Sequence, residues 1–232
     1  MLFSFALSAV VLASSVFGSP LQTRSQCASN LAAARLTLPA QEAALAPPST
    51  GPSGIVLGVG VQNYTCTAAG NYTTAGAVAQ LFDISCLINK SSFDDVQDVA
   101  YDLWKKAPES ITTLRLGTLI NQIGHGEPAG LHYFISNSAG GISPKWDHTA
   151  SATAKGKAGD FVVAKKVGDI PAPNPSADVD WLSLANVSGD LAAQVFRVST
   201  RGGVAPAKCT PGSPLISVKY TSKYYYFGDN GF

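Results

Sequence analysis

The chain has 232 residues, with 16 Lys and Arg against 15 Asp and Glu and a formal net charge of +1. Charged residues make up 13% of it, about half the ordinary share. That removes nucleic acid from the expected partners, because neutralising phosphates takes a basic stripe.

Leu2 to Phe17, LFSFALSAVVLASSVF, is an uncharged apolar run, with Val16 and Gly18 at the −3 and −1 positions before Ser19. This is the layout of a secretory signal peptide over residues 1–18, shorter than the roughly 20 residues that cross a bilayer. No later run is apolar enough to span, and the end, Tyr224 to Phe232, lacks a lipid-anchor tail. The expected product is extracellular, with no membrane span. Cys27, Cys66, Cys86 and Cys209 fit an oxidising compartment and two disulfides. Three pairings are open from the residues alone, among them a local Cys66–Cys86 staple. Asn63, Asn71, Asn89 and Asn186 begin Asn-x-Ser/Thr acceptors, so a glycoprotein is expected.

Residues 19–53, rich in Ala, Pro, Ser and Leu, read as an irregular N-terminal arm held by Cys27, with a short helix over Ser29–Leu36. Residues 54–232 read as a single β-rich domain. Ile55–Cys66 is the first strand, Gly70–Asn71 a hairpin turn, and Ala77–Ser85 the second strand. Gly58-Val59-Gly60 with Asp83 imitates a dinucleotide fingerprint. Asn63 stands where the third glycine is needed, however, and Tyr64 to Thr67 favour strand over helix, so no cofactor is expected. Ser92–Ala107 is the strong helix. Ser92 caps it, Asp94 and Asp95 open it and Lys105 and Lys106 close it. Its apolar stripe is Phe93, Val96, Val99, Ala100, Leu103, Trp104 and Ala107.

From there the pattern is β: Ile111–Leu119, Leu131–Ser136, Phe161–Val167, Trp181–Leu184, Leu191–Thr200 and Leu215–Phe227, with Pro171–Pro175 a loop. The class is all-β, a mainly antiparallel barrel or sandwich with one or two peripheral helices.

The order GVGVQNYTC, LFD, GLHYF, PKW, WLSL, RVSTRGGVAPAKC and YTSKYYYF resembles a family of secreted proteins of unknown function. That family is common in fungi, has bacterial relatives, and often carries the label malate dehydrogenase. The likeness runs from Gly58 to Phe227 and is most specific in the RGGVAP segment to Cys209. It implies a β-rich domain with no established activity. With the fingerprint broken, an NAD-dependent malate dehydrogenase is not expected. It also implies that Cys66 pairs with Cys209, leaving Cys27 for Cys86.

Few residues offer chemistry. His132 lies in the Gly130–Phe134 segment that matches the family. If Leu131, Tyr133 and Ile135 face the core, His132 is exposed beside aromatics. With Asp147, in a loop after Pro144, it forms the candidate acid–base pair, and His125 in Gly124-His125-Gly126 ranks below it. The 16-residue step from His132 to His148 matches no metal motif, so no metal is expected. No Gly-x-Ser-x-Gly elbow occurs. Trp146, His148, Trp181 and Arg197 are candidate binding residues, with the tyrosines at 220 and 224–226 as a further aromatic platform.

The favoured reading is a secreted, monomeric, non-enzymatic glycoprotein that binds a cell-wall glycan or an extracellular protein. Its alternative is an extracellular hydrolase or isomerase using His132 with an Asp on a small or carbohydrate substrate.

Overall fold

The computed structural model describes residues 24–39, 45–122, 128–151 and 157–228. The expected signal peptide and His125 lie outside these residues. Alternation of inward and outward side chains, broken by bulges in the β1–β2, β5–β6 and β7–β8 ladders, runs from β1 (Gly54–Cys66) through β2 (Tyr72–Asp83), β3 (Gly130–Ser136) and β4 (Ile142–Asp147). It continues through β5 (Phe161–Ile170), β6 (Trp181–Ser188), β7 (Gln194–Gly202) and β8 (Ile216–Phe227). Each strand is antiparallel to the next, and β8 returns to β1 over the register Gly54↔Tyr226 to Tyr64↔Ile216. The result is a closed up-and-down barrel, which leaves no open sheet edge.

The two faces of the wall carry two cores. Inside lie Val56, Ala79, Leu81, Trp146, Val162, Leu184 and Val195 with three rings of β8, Tyr220, Tyr224 and Tyr226. A Cβ at Gly58 would stand 2.6 Å from the Tyr224 ring, and one at Gly60 would strike the Val78 carbonyl and the Ala79 backbone. The glycines once suggestive of a phosphate loop are thus close-approach positions in a barrel wall.

Outside, Ile55, Leu57, Val59, Phe196, Val198 and Tyr225 are covered by the arm and by α2 (Ser91–Lys106). Trp104 of α2 donates its Nε1–H to the Gly60 carbonyl (2.7 Å), and Thr221 Oγ1 donates to the Gln97 carbonyl (2.8 Å). Lys223 lies beneath the helix, its Nζ 4.2 Å from the Phe93 ring centre, and burial lowers its pKa to about 8.

The helices depart from expectation in four ways. Lys90, not Ser92, is the N-cap of α2, and no side chain caps it. Val99 and Leu103 are exposed, because they lie about two-fifths and a quarter of a turn from the line through Phe93, Gln97 and Trp104. The strand expected over Ile111–Leu119 is a helix, α3 (Thr113–Gln122). Thr112 Oγ1 accepts from Arg115 N–H at its start, and Thr113, Leu116 and Gly117 recur at helical spacing, with Gly117 against Gln80. In the arm, α1 spans Arg24–Ala33, earlier than Ser29–Leu36.

Trp146 and Asp147, expected in a loop, belong to β4. Pro144 is tolerated there because pairing with β5 begins only at Lys145↔Val163. Cys27 of α1 bonds Cys86 in a 3₁₀ turn (Ser85–Leu87), and Cys66 bonds Cys209, the pairing the family resemblance implies.

Gly60→Ala, a single added methyl, is expected to lower stability by about 3 kcal/mol, the upper end for overpacking a core. Urea denaturation at neutral pH measures it; an unchanged midpoint would contradict the close approach of β1 and β2.

Candidate functional site

The rings that fill the barrel do not fill it evenly. Near the end that holds the chain's last strand residues, Leu81, Leu191, His148 and Tyr226 are fully buried. At the other end, where odd-numbered strands finish and even-numbered ones begin, a cavity of about 800 Å³ opens. Its size is that of a small-molecule site, and eight-stranded barrels have room for one such ligand. Ala164 and Leu184 form its floor, and Tyr64, Tyr72, Phe134, Pro144 and Leu182 its apolar walls. Gln62, Asn71, Asn137, Ser143 and Arg197 supply polar groups.

One rim is the segment after β7. Gly202 and Gly203 both have positive φ (+71° and +90°), and a Cβ at Gly203 would stand 2.9 Å from Val179 and 3.0 Å from Gln62. Only glycine fits there. The pair turns the chain across the mouth, so that Val204 to Ala207 line the cavity. Asp178 Oδ1 accepts from Gly202 N–H (2.7 Å) and Tyr64 donates its hydroxyl to the Gly203 carbonyl (2.7 Å). Cys209 N–H donates to the Gly70 carbonyl (3.0 Å), Lys208 Nζ to Asn71 Oδ1 (2.9 Å), and the Cys66–Cys209 bond closes the staple.

Arg197 lies on the inner face of β7, opposite Tyr224 in the β7–β8 ladder. Its Nε and Nη2 donate to the Asp180 carbonyl (3.0 and 2.8 Å). Its charge reaches Tyr64, His132, Tyr220 and Tyr224. Below it the hydroxyls of Tyr220 and Tyr224 are 2.9 Å apart, and burial raises the pKa of both.

His132 is inside the barrel, not exposed. It stacks on Trp146 with centroids 4.4 Å apart and touches Tyr224 at 5.4 Å. Its Nδ1 faces the Lys145 carbonyl at 3.0 Å, which fixes the proton on Nδ1, since a carbonyl only accepts. Burial lowers its pKa to about 3. Asp147 lies on the outer face of the same hairpin. It pairs with Lys145 (2.8 Å) and accepts from Tyr133 (2.7 Å) and from the Thr149 hydroxyl (2.7 Å). Burial alone would raise its pKa, but these partners hold it well below the carboxylate range. The wall of the barrel separates His132 from Asp147, so they do not form the acid–base pair that adjacency suggested.

Of the four binding candidates, Arg197 alone lines the mouth. Trp146 is buried beneath His132, and His148 meets the Tyr226 hydroxyl through Nε2 (3.2 Å) at the filled end. Trp181 packs on the outer core. Tyr220, Tyr224 and Tyr226 point inward and Tyr225 outward under α2, so these four rings do not share one flat face.

The acceptor asparagines are distributed differently. Asn71 lines the mouth and Asn89 is exposed, while Asn63 Oδ1 accepts from Ser217 (2.8 Å). Asn186 uses its Nδ2 to donate to the carbonyls of Gly189 (2.8 Å) and Ala192 (2.7 Å). Sequence reasoning missed Gln62 and Tyr64, although both share the inward parity of Gly58 and Gly60 on β1.

The family model described as a protein of unknown function, DUF3455, matches residues 47–228. The chain belongs to this family. The DUF3455 region spans the whole barrel, the mouth and the RGGVAP rim included. No curated protein and no solved structure matches the chain.

Both buried histidines ionise near pH 6.5 in the unfolded chain, but burial holds them to about 3 (His132) and about 4 (His148) in the barrel. The unfolded state therefore takes up protons first, and stability falls as pH drops from 6.5 toward 4. The slope approaches about 1.4 kcal/mol per pH unit for each ring. Asp160, raised by burial, opposes this only toward the acid end. Denaturation at pH 6.5, 5.5 and 4.5 checks it: the wild type should lose stability steadily and His132→Phe about half as steeply, whereas a flat profile contradicts neutral burial.

Proposed function

We propose that this protein is a secreted, glycosylated binding protein that holds a small extracellular ligand, such as the end of a cell-wall glycan, in the mouth of its barrel. The observation that carries the reading is the cavity of about 800 Å³, closed below by Ala164 and Leu184 and rimmed by a disulfide-stapled segment. Its mixture of ring faces, amides and hydroxyls suits a ligand that is partly apolar and rich in hydrogen-bonding groups. A concave site of this size favours a glycan end over a protein surface, which would need a broad face.

An extracellular location is supported by two disulfides, by the leader-like start, and by the absence of any helix among the described residues long and apolar enough to cross a membrane. The alternative, a hydrolase or isomerase using His132 with Asp147, draws no support from their positions. A neutral, buried imidazole and a saturated carboxylate lie on opposite faces of the wall.

Glycan-array and wall-polysaccharide binding, with wild type and Leu182→Trp compared, tests the proposal. Leu182→Trp fills the mouth and is expected to weaken binding at least about tenfold. Val187→Ser, on an exposed position of β6 outside the mouth, should leave binding unchanged. Equal binding by the Leu182→Trp variant would place the site elsewhere.

A further inference from the structure

We infer that the ligand taken by the mouth is acidic, a sugar that carries a carboxylate, and that Arg197 with Gln62 holds that carboxylate. The inference rests on the mouth being the binding site. Two donors that line one cavity are left over after the fold is satisfied. Arg197 spends Nε and Nη2 on the Asp180 carbonyl, and Nη1 has no partner among the described residues. Gln62 is 6% exposed, and its Nε2 is a buried donor with no hydrogen bond. The Gln62 amide lies beside the Tyr220 hydroxyl without a well-formed hydrogen bond to it, and that hydroxyl also feels the Arg197 charge, so both donors lie near the same ring. Leaving a buried amide unpaired costs free energy that a ligand acceptor recovers.

The charge balance points the same way. Arg197 makes no ion pair among the described residues. The acids around the rim do not neutralise it: Asp169 pairs with Lys166, and Asp178 accepts from Gly202 N–H and faces Arg201 at 3.9 Å. The Asp180 carboxylate is exposed and beyond ion-pair distance, only its carbonyl meeting the guanidinium. A guanidinium fixed by two hydrogen bonds is pre-oriented for a carboxylate. The lining also holds the exposed Lys165 and the exposed Asp180, whose charge is felt at Tyr64. These offset each other, so Arg197 with the neutral Gln62 amide balances one negative charge, which favours a carboxylate over a doubly charged phosphate. The walls then take the body of the sugar, with ring faces at Tyr64, Tyr72 and Phe134 and polar groups at Asn137 and Ser143.

Calorimetric titration of the full chain with galacturonic acid, galactose and galactose 6-phosphate tests the inference. Galacturonic acid is expected to bind at least about tenfold more tightly than galactose. Arg197→Gln should abolish that preference, Gln62→Met should reduce it several-fold, and Arg197→Lys should keep part of it. Melting temperatures are read first; if Arg197→Gln does not fold, Gln62→Met and Arg197→Lys carry the comparison. Equal binding of galactose, tighter binding of galactose 6-phosphate, or no binding of galacturonic acid overturns the carboxylate. In those cases, neutral glycans lost with Leu182→Trp still leave the mouth as the site. Acid binding that survives Leu182→Trp overturns the mouth itself.

Discussion

The barrel depends on a match between the large rings of β8 and the missing side chains of β1. Tyr220, Tyr224 and Tyr226 point inward from one strand, and the strand hydrogen-bonded to it carries Gly58 and Gly60 on the same face. An eight-stranded barrel has an interior wide enough only for side chains or for one small ligand. Three tyrosines from one side therefore demand that the neighbouring wall give up volume. With Gly58 the Tyr224 ring lies against the β1 backbone; with Gly60 the β2 backbone can approach. Closure of β8 onto β1, on which the hydrogen bonds of both strands depend, follows from that fit.

The same packing decides where a ligand can go. Rings and branched side chains fill the barrel from Tyr226 up to the Tyr220–Tyr224 hydroxyl pair, and above that tier the inward residues become Gln62, Tyr64, Phe134 and Arg197, which leave space. The rim is positioned by constraints of other kinds. The positive-φ glycines at 202 and 203 aim the chain across the opening, and a disulfide spanning 143 residues pins it to the end of β1. In the chain-entropy account a loop of that length is worth about 5 kcal/mol of stability. The rim and the barrel wall thus resist separation, and a preformed opening spares a ligand the cost of ordering it.

Much of this fold was legible because its strands alternate strongly. β1, β3 and β8 lie within a residue or two of where period-two patterning puts them, and the Gly70–Asn71 turn joins the first two strands. Ile111–Leu119 misled because Leu114-Arg115-Leu116 alternates among β-branched threonines, while the deciding cap at Thr112 and the fit of Gly117 on Gln80 depend on tertiary position. The site was less legible for a related reason. Parity along β3 and β4 correctly separates His132 from its neighbours, but it does not say which parity faces inward. Assigning the odd set to the core exposed His132 and brought it toward Asp147. In a closed barrel the even set, His132 and Phe134, turns inward with Trp146. Arg197 was among the candidate binding residues; that it lines a cavity, rimmed by the Gly202–Gly203 turn, required the barrel to be closed.

The central claim, that the open mouth of the barrel is where this protein binds, is tested most directly by mapping amide chemical-shift changes as wall-derived acidic oligosaccharides are titrated into isotopically labelled protein. The account predicts that the changes concentrate at Gln62, Tyr64, Arg197 and the rim from Gly203 to Ala207. Changes centred instead on the outer face around Tyr133, Lys145 and Asp147 would contradict it.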